Sequence, residues 1–459
     1  MARSVTFDSK MSDAEGLMWR LEKDPFLSST FANITITDQP IDVERFRRRM
    51  ERASIAVPRL RQRVRPAMGN LAPPAWVDDP EFSIARHVRH VALPAPGSMR
   101  QLQDLATLIA ADPFDRTRPL WEFVVVDGLR GGKGALIQKL HHTVADGEGS
   151  IRLSLQFLDM ERDAPEPEPL VCVPPAPTDM PSASDVVHTV MSDALRVPFG
   201  ALRQVATLLA DPVRLPAAGQ ELWATASSAV RQLTDTEPHR SPLWTARSLD
   251  HQLEVLRTPL EPIKKAAKRL GGTLNTAFMT VAAEASGAYH RQKGFPVEEL
   301  RSSMAISTRK SESGSNAFSL VRFLIPTGDM SIEERFARTT SAIEAARSSA
   351  GPASLNRLAA LTTSLPTSVL TRLARTQAEA IDFATSNVRA APFPVYITGA
   401  KVLQNHAIGP LGGVAFNLTL MSYNGSLDMG LNTDRAAIEE PELLRSLLLD
   451  AFRRFSKAR

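Results

Sequence analysis

The first third of the chain alternates short β-branched segments with stretches whose apolar residues recur at helical spacing. Residues 31–37 (FANITIT), bounded by polar turn residues, predict a strand, because β-branched side chains suit a pleated surface. Val43, Phe46, Met50 and Ala53 share one helical face, so 41–55 predicts a helix with Asp42 near its start. Residues 84–91 read as a second strand, and 99–111 as an amphipathic helix ending before Pro113. Two apolar strands, 122–126 and 135–140, flank the turn-rich DGLRGGKG. This hairpin delivers the chain straight into HHTVADGEGS, after which Ile151, Leu153, Leu155 and Leu158 resume a helical pattern.

The pattern breaks at 163–184, where seven prolines and almost no large apolar residues mark an extended linker. Two amphipathic helical patterns follow, 186–197 and 199–210, split by Pro198. Their apolar faces either pack across two domains or lie on a lipid surface. From residue 241 the alternation resumes. Helices are expected at 262–269, 274–289, 332–350 and 441–455, and strands at 321–325 and 395–397. Residues 414–423 and 426–431 around Asn424-Gly425 give the strongest hairpin signal. Interleaved strands and helices in both halves predict an α/β (α+β) protein, mixed sheets flanked by helices. The expected division is an N-terminal domain at 1–162, a linker with amphipathic helices at 163–240, and a C-terminal domain at 241–459.

Composition narrows the classes. Fifty-four basic against 50 acidic residues leave a net +4, too little to imply a polyanionic partner, and three Tyr are few for stacking bases. No nucleic-acid partner is expected. The arginines that crowd 45–65 read as a solvated helix face, or as a holder of phosphates or anionic head groups. Cys172 is the sole cysteine, so an intrachain disulfide is excluded and a reducing compartment fits. No apolar run reaches the ~18–20 residues of a membrane span. The expectation is a cytoplasmic protein, at most peripheral on a membrane or lipid-inclusion surface.

The candidate chemistry lies at His141-His142, the one adjacent pair among nine histidines, with Asp146-Gly147 following. A strand ends, two imidazoles emerge, and the chain turns before a helix. A neutral imidazole is suited to taking and returning a proton near pH 7. No HExxH or Cys/His cluster accompanies the pair, which disfavours zinc, and no GxSxG elbow supports a serine hydrolase.

HHTVADG resembles the HHxxxDG signature of the coenzyme A-dependent acyltransferase superfamily, which includes chloramphenicol acetyltransferase and peptide-synthetase condensation domains. Over nearly its whole length the chain is similar to the bacterial wax ester synthase/diacylglycerol acyltransferase family. MSDAEGLMWRLE, VPRLRQRV and FDRTRPLWEF carry the likeness in the first half. GGTLNTAFMTVAAEA, MAISTRK, ATSNV and VYITGAKV carry it, in order, in the second. Three departures stand out. Thr276 follows Asn275 where the family has Asp, Asn387-Val388-Arg389-Ala390 replaces NVPGP, and SPLWTARSLD lacks the usual Asn and Gly.

The resemblance implies two chloramphenicol-acetyltransferase-like domains with an active-site tunnel at their interface. It implies His142 as general base, His141 as its support, and Asp146 and Gly147 as residues that shape the loop. Asn275 is a candidate substrate contact from the second half or a plain helix-start residue. Asn387 is a turn or a site residue, and Trp121 a packing residue or a substrate contact. The implied reaction carries a long-chain acyl group from acyl-CoA, as co-substrate with no bound cofactor, to diacylglycerol or a fatty alcohol. Two alternatives stand beside it: a condensation-type or polyketide-associated enzyme with a carrier-protein donor, and a catalytically weak protein that binds lipid or coats lipid droplets.

Overall fold

A computed structural model describes residues 9–66, 74–145, 153–170, 239–307, 318–349 and 367–458. The helices expected at 186–210, most of the proline-rich linker, and Cys172 lie outside the described residues. In the first half the strands are β1 (Thr30–Thr37), β2 (Gln62–Arg65), β3 (Ala75–Asp78), β4 (Val88–Ala92), β5 (Trp121–Leu129), β6 (Lys133–His141) and β7 (Leu158–Asp159). The helices are α1 (Asp13–Leu21), α2 (Val43–Ala56), α3 (Ile84–His87) and α4 (Met99–Ala111). Both α1 and α4 open with a capping box, Ser12 with Glu15 and Ser98 with Gln101, which satisfies two orphan backbone donors at each start.

The second half contributes β8 (His251–Pro259), α5 (Leu260–Arg269), α6 (Leu274–Gln292), β9 (Glu299–Ser307), β10 (Phe318–Pro326), α7 (Ile332–Ser349) and α8 (Thr367–Glu379). It continues with β11 (Phe383–Arg389), β12 (Tyr396–Ile397), β13 (Ala400–Ile408), β14 (Phe416–Tyr423), β15 (Ser426–Asp434) and α9 (Pro441–Phe455). Among the described residues one large sheet runs β4-β5-β6-β1-β13-β12-β7 and a second β10-β9-β11-β14-β15-β8, while β2 and β3 pair as a small two-stranded sheet. Both large sheets mix parallel and antiparallel pairs. The hairpin expected around Asn424-Gly425 joins β14 to β15, both turn residues having positive φ.

The halves interpenetrate. β12 and β13, from beyond residue 241, complete the first sheet, with β13 antiparallel to β1. Thr398 and Gly399, φ 47 and 88, form the two-residue turn that lets this inserted hairpin reverse. Buried Val395, Ile397, Ala400, Val402 and Tyr423 join Phe46, Phe123 and Phe157 in one core cluster, so the first lobe is not made from 1–162 alone. The opposite face packs α4 on Ile34, Ile36 and Ile137, together with Leu253 from β8. Where the sheets meet, Gly430 is obligatory: a Cβ there would lie 2.0 Å from the Ala407 carbonyl oxygen.

Two expectations are corrected. Residues 84–91 begin as a helical turn, because Ile84 and His87 fall on one face and the His87 ring stacks on Phe82 and Trp121; only Val88 onward is strand. Nor do most of the arginines of 45–65 form a solvated face or a free anion cradle, although Arg48 and Arg65 are exposed. Arg45 pairs with Glu166 and donates to the Ala164 carbonyl at 2.7 Å, while Arg52 holds the Glu168 carbonyl at 2.9 Å. Buried Arg49 pairs with Asp159. Arg59 and Arg61 lie over the Trp76 and Phe82 rings. The chain leaving the first sheet covers that side of α2.

Candidate active site at the end of strand β6

Strand β6 runs between β5 and β1 and ends at His141, which pairs in register with Thr30. The next residue leaves the sheet: the His142 N–H donates to the Ser29 carbonyl at 3.1 Å, and Val144 N–H returns to the His141 carbonyl at 2.9 Å. Strand alternation therefore sends the two rings to opposite sides. His141 is 1% exposed, whereas His142 is half-buried. The Phe31 ring lies against the His142 imidazole, centroids 4.6 Å apart and planes tilted by 40°.

Both ring nitrogens of His141 are engaged. The Thr143 N–H donates to Nδ1 at 3.1 Å, with the Thr143 hydroxyl 2.7 Å from the same atom, and Nε2 contacts the Glu22 carboxylate. An acceptor Nδ1 with a donor Nε2–H is one neutral tautomer. The second carboxylate oxygen of Glu22 accepts from Ser28 Oγ at 2.8 Å and Thr30 Oγ1 at 3.2 Å. Burial by itself would raise the Glu22 pKa. The hydrogen bond from His141, with those from the two hydroxyls, outweighs it and holds the carboxyl below its ordinary value. Sequence reading missed Glu22, although it ends the MSDAEGLMWRLE block. Its role needs the fold, since 119 positions separate it from His141.

On the β1 and β6 face that presents Phe31, a polar row crosses three strands. Gln138 donates to Thr35 Oγ1 at 3.0 Å, as does Asn33, and Thr35 Oγ1 donates to Asn405 Oδ1 at 3.0 Å. A cavity of about 100 Å³ opens at the seam of the two halves. Ser28 and Thr30 line it from one side, His251, Asn432 and Asp434 from the other.

The remaining expected residues separate clearly. Asp146 and Gly147 lie outside the described residues. Asn275 and Asn387, far apart in sequence, meet: Asn387 Nδ2 approaches Asn275 Oδ1 at 3.5 Å, and Asn275 Nδ2 donates to Met304 Sδ at 2.9 Å. Asn275 is not the cap of α6, since Thr273 accepts from Thr276 N–H, and Asn387 sits within β11 rather than in a turn. Trp121 is 1% exposed; its indole N–H donates to the Leu60 carbonyl at 2.8 Å and its ring stacks on His87 at 4.6 Å. That burial corrects the substrate-contact reading: Trp121 is a core residue. Among the described residues no group of three or more His, Cys, Asp or Glu could hold a metal ion, and no helix is long and apolar enough to cross a membrane.

Two mixed sheets, the first completed by a hairpin from the second half of the chain, with a histidine pair at the end of a central strand, have known counterparts. The wax ester synthase/diacylglycerol acyltransferase of Marinobacter aquaeolei VT8 superposes with a TM-score of 0.68 at 19% identity, over 98% of each chain. The first condensation domain of the calcium-dependent antibiotic synthetase gives 0.59 at 15% identity, over 99% of this chain and 98% of that one. The fold is thus the two-lobed, chloramphenicol-acetyltransferase-like one of these enzymes.

Sequence narrows the class. The wax ester synthase/diacylglycerol acyltransferase catalytic domain matches residues 11–278, and the C-terminal domain of the same family matches 314–456. Two Mycobacterium tuberculosis proteins, from strains CDC 1551 and H37Rv, bear the name "putative diacylglycerol O-acyltransferase". Each is 31% identical over 461 residues, covering 98% of this chain and 92% of its own. The chain belongs to the wax ester synthase/diacylglycerol acyltransferase family, and is an acyltransferase of that family.

Proposed function

We propose that this protein carries a long-chain acyl group from acyl-CoA to the free hydroxyl of diacylglycerol, forming triacylglycerol, with fatty alcohol as a second acceptor. The observation that carries the reading is the contrast between the two imidazoles: His141 is sealed, with both ring nitrogens engaged, while His142, on the turn that follows, is only half-buried. His142 takes the acceptor's hydroxyl proton as its oxygen attacks the thioester carbonyl. The tetrahedral oxyanion collapses, the C–S bond breaks, and the departing thiolate recovers the proton from the imidazolium. Asp146 and Gly147 shape the loop, and Asn275 with Asn387 contact substrate from the second half. Acyl-CoA is consumed as co-substrate, and no bound cofactor takes part. A lipid acceptor draws the protein to the cytoplasmic surface of a membrane or lipid inclusion, which fractionation of cells would check.

Thiol release with a panel of acyl-CoA donors, offered diacylglycerol, hexadecanol or water, tests the reading. Diacylglycerol-dependent release is expected, and His142→Ala should lower it ~10²–10⁴-fold without unfolding the protein. Wild-type activity in that variant would remove His142 as the base. The likeness to condensation domains favours a second reading, in which the donor is an acyl-carrier protein; release from that donor alone would select it. Lipid association with no transfer from any donor would leave a lipid-binding protein.

A further inference from the structure

Glu22 reaches the end of β6 from the C-terminus of α1. The capping box at Ser12 starts α1 in register, so Glu22 falls at its C-cap, where the chain turns toward β1. From there one carboxylate engages three side chains on two converging segments: Ser28 and Thr30 at the start of β1, and His141 at the end of β6. Between Ser28 and Thr30 stands Ser29, whose carbonyl receives the His142 N–H. His142 is thus held through both neighbours of the Glu22 carboxylate, by its peptide link to His141 and by its hydrogen bond to Ser29.

We propose that Glu22 is a positioning residue for acyl transfer, holding His141 in the Nε2–H tautomer and, through His141 and Ser29, fixing the backbone that carries His142. The inference rests on His142 being the base. Its physical core is satisfaction of buried polar groups. Without an acceptor at Glu22, the Nε2–H of a ring 1% exposed loses its partner, and two hydroxyls lose theirs. The ring can then recover a partner only by turning or changing tautomer, and Nδ1 would cease to accept from Thr143 N–H, which shapes the turn. A small displacement of a general base is costly, since proton transfer demands hydrogen-bond reach of the reacting oxygen.

The experiment compares wild type, Glu22→Gln, Glu22→Ala and Glu22→Asp, reading kcat, KM for both substrates, thermal midpoint, and the 15N signals of the His141 ring. Glutamine keeps an acceptor oxygen at full reach; aspartate keeps the charge but is one methylene short. Expected are kcat losses of about 10–100-fold for Glu22→Ala and Glu22→Asp, with KM within about twofold, and near-complete retention in Glu22→Gln. The Nε2–H signal should persist only in wild type and Glu22→Gln. If Glu22→Ala does not fold, Glu22→Asp and Glu22→Gln decide alone. Wild-type kcat in Glu22→Asp or Glu22→Ala, a change confined to KM, or a Glu22→Gln variant as poor as Glu22→Ala would each overturn the proposal. The His141 spectrum is independent of turnover, so failure of His142 as base would be seen separately, in His142→Ala.

Discussion

Phe31 faces the His142 imidazole at a centroid separation of 4.6 Å, and it is the residue whose register partner on β6 is Leu140. The contact restricts the rotation of a ring that the backbone places beyond the end of a strand. Removing the phenyl group gives the imidazole new rotamers, most of them unproductive. Phe31→Ala is expected to lower kcat by about tenfold, with Phe31→Leu losing less. The stability cost should be about 1–3 kcal/mol, below that of a fully buried Phe, because Phe31 is only partly covered. Thiol-release kinetics beside a urea titration would check both. Unchanged kcat in Phe31→Ala would mean that the turn alone orients His142.

The two lobes meet where β13 crosses β15, and Gly430 packs there against the backbone of Ala407. An added Cβ would lie 2.0 Å from the Ala407 oxygen, and backbone cannot yield as a side chain would. Gly430→Ala is therefore expected to cost about 1–3 kcal/mol or more, forcing the sheets apart. Gly425 gives the contrast: its φ is +79 but nothing lies within 4 Å of the added Cβ, so Gly425→Ala meets only conformational strain, about 1 kcal/mol. Thermal midpoints of the two variants should rank accordingly.

Those glycines also show where sequence stops being informative. Asn424-Gly425 is legible because a two-residue turn with positive φ is a local demand written in local residue types. The strand pattern around it, the helix at 274–292 and the histidine pair at the end of an apolar strand are legible for the same reason. Gly430 is not, since its constraint comes from Ala407 on a strand of the other sheet. The same holds for the insertion of β12 and β13 into the first sheet, where the sequence marks a strand at 395–397 but not its neighbours. His142 could be singled out from a motif. Glu22 could not, because nothing local marks a carboxylate at a helix end as the partner of an imidazole on β6. Arg49 misled for a related reason: a helix face covered by an extended, proline-rich segment looks polar and solvated in sequence.

Arg49 and Asp159 form a pair with side chains 3% and 9% exposed. Arg49 Nη2 also donates to the Pro165 carbonyl at 3.4 Å, so the ion pair clamps the chain leaving the first sheet onto α2. Arg49→Met keeps much of the apolar stem but strands a buried carboxylate. A loss of about 3–5 kcal/mol is expected, much of it recovered when Asp159→Leu is added. Limited proteolysis near residue 165 should accelerate in the single variant. If urea unfolding of Arg49→Met matched wild type, the pair would not be stabilising.

Three histidines predict how stability depends on pH. His87 donates from Nδ1 to the Trp121 carbonyl at 2.7 Å, His290 from Nδ1 to the Ser286 carbonyl at 2.8 Å, and His406 from Nδ1 to the Met429 carbonyl at 3.1 Å. All are 4% exposed or less, and burial is the main cause holding each below the ordinary histidine value, against the opposing pull of these hydrogen bonds. The unfolded chain protonates these rings as pH falls through about 6.5, while the folded chain keeps them neutral. The unfolded state then binds more protons, so stability must fall as pH drops below that point, by up to ~1.4 kcal/mol per ring per unit. Glu22, depressed in the fold, stays ionised in both states across this range and adds nothing to the slope. Urea midpoints should be nearly level from about pH 8 to 7 and decline steadily from about 6.5 to 5.5, with a shallower decline in His406→Gln. A level profile across the lower window would show that the folded protein protonates these rings as readily as the unfolded chain does.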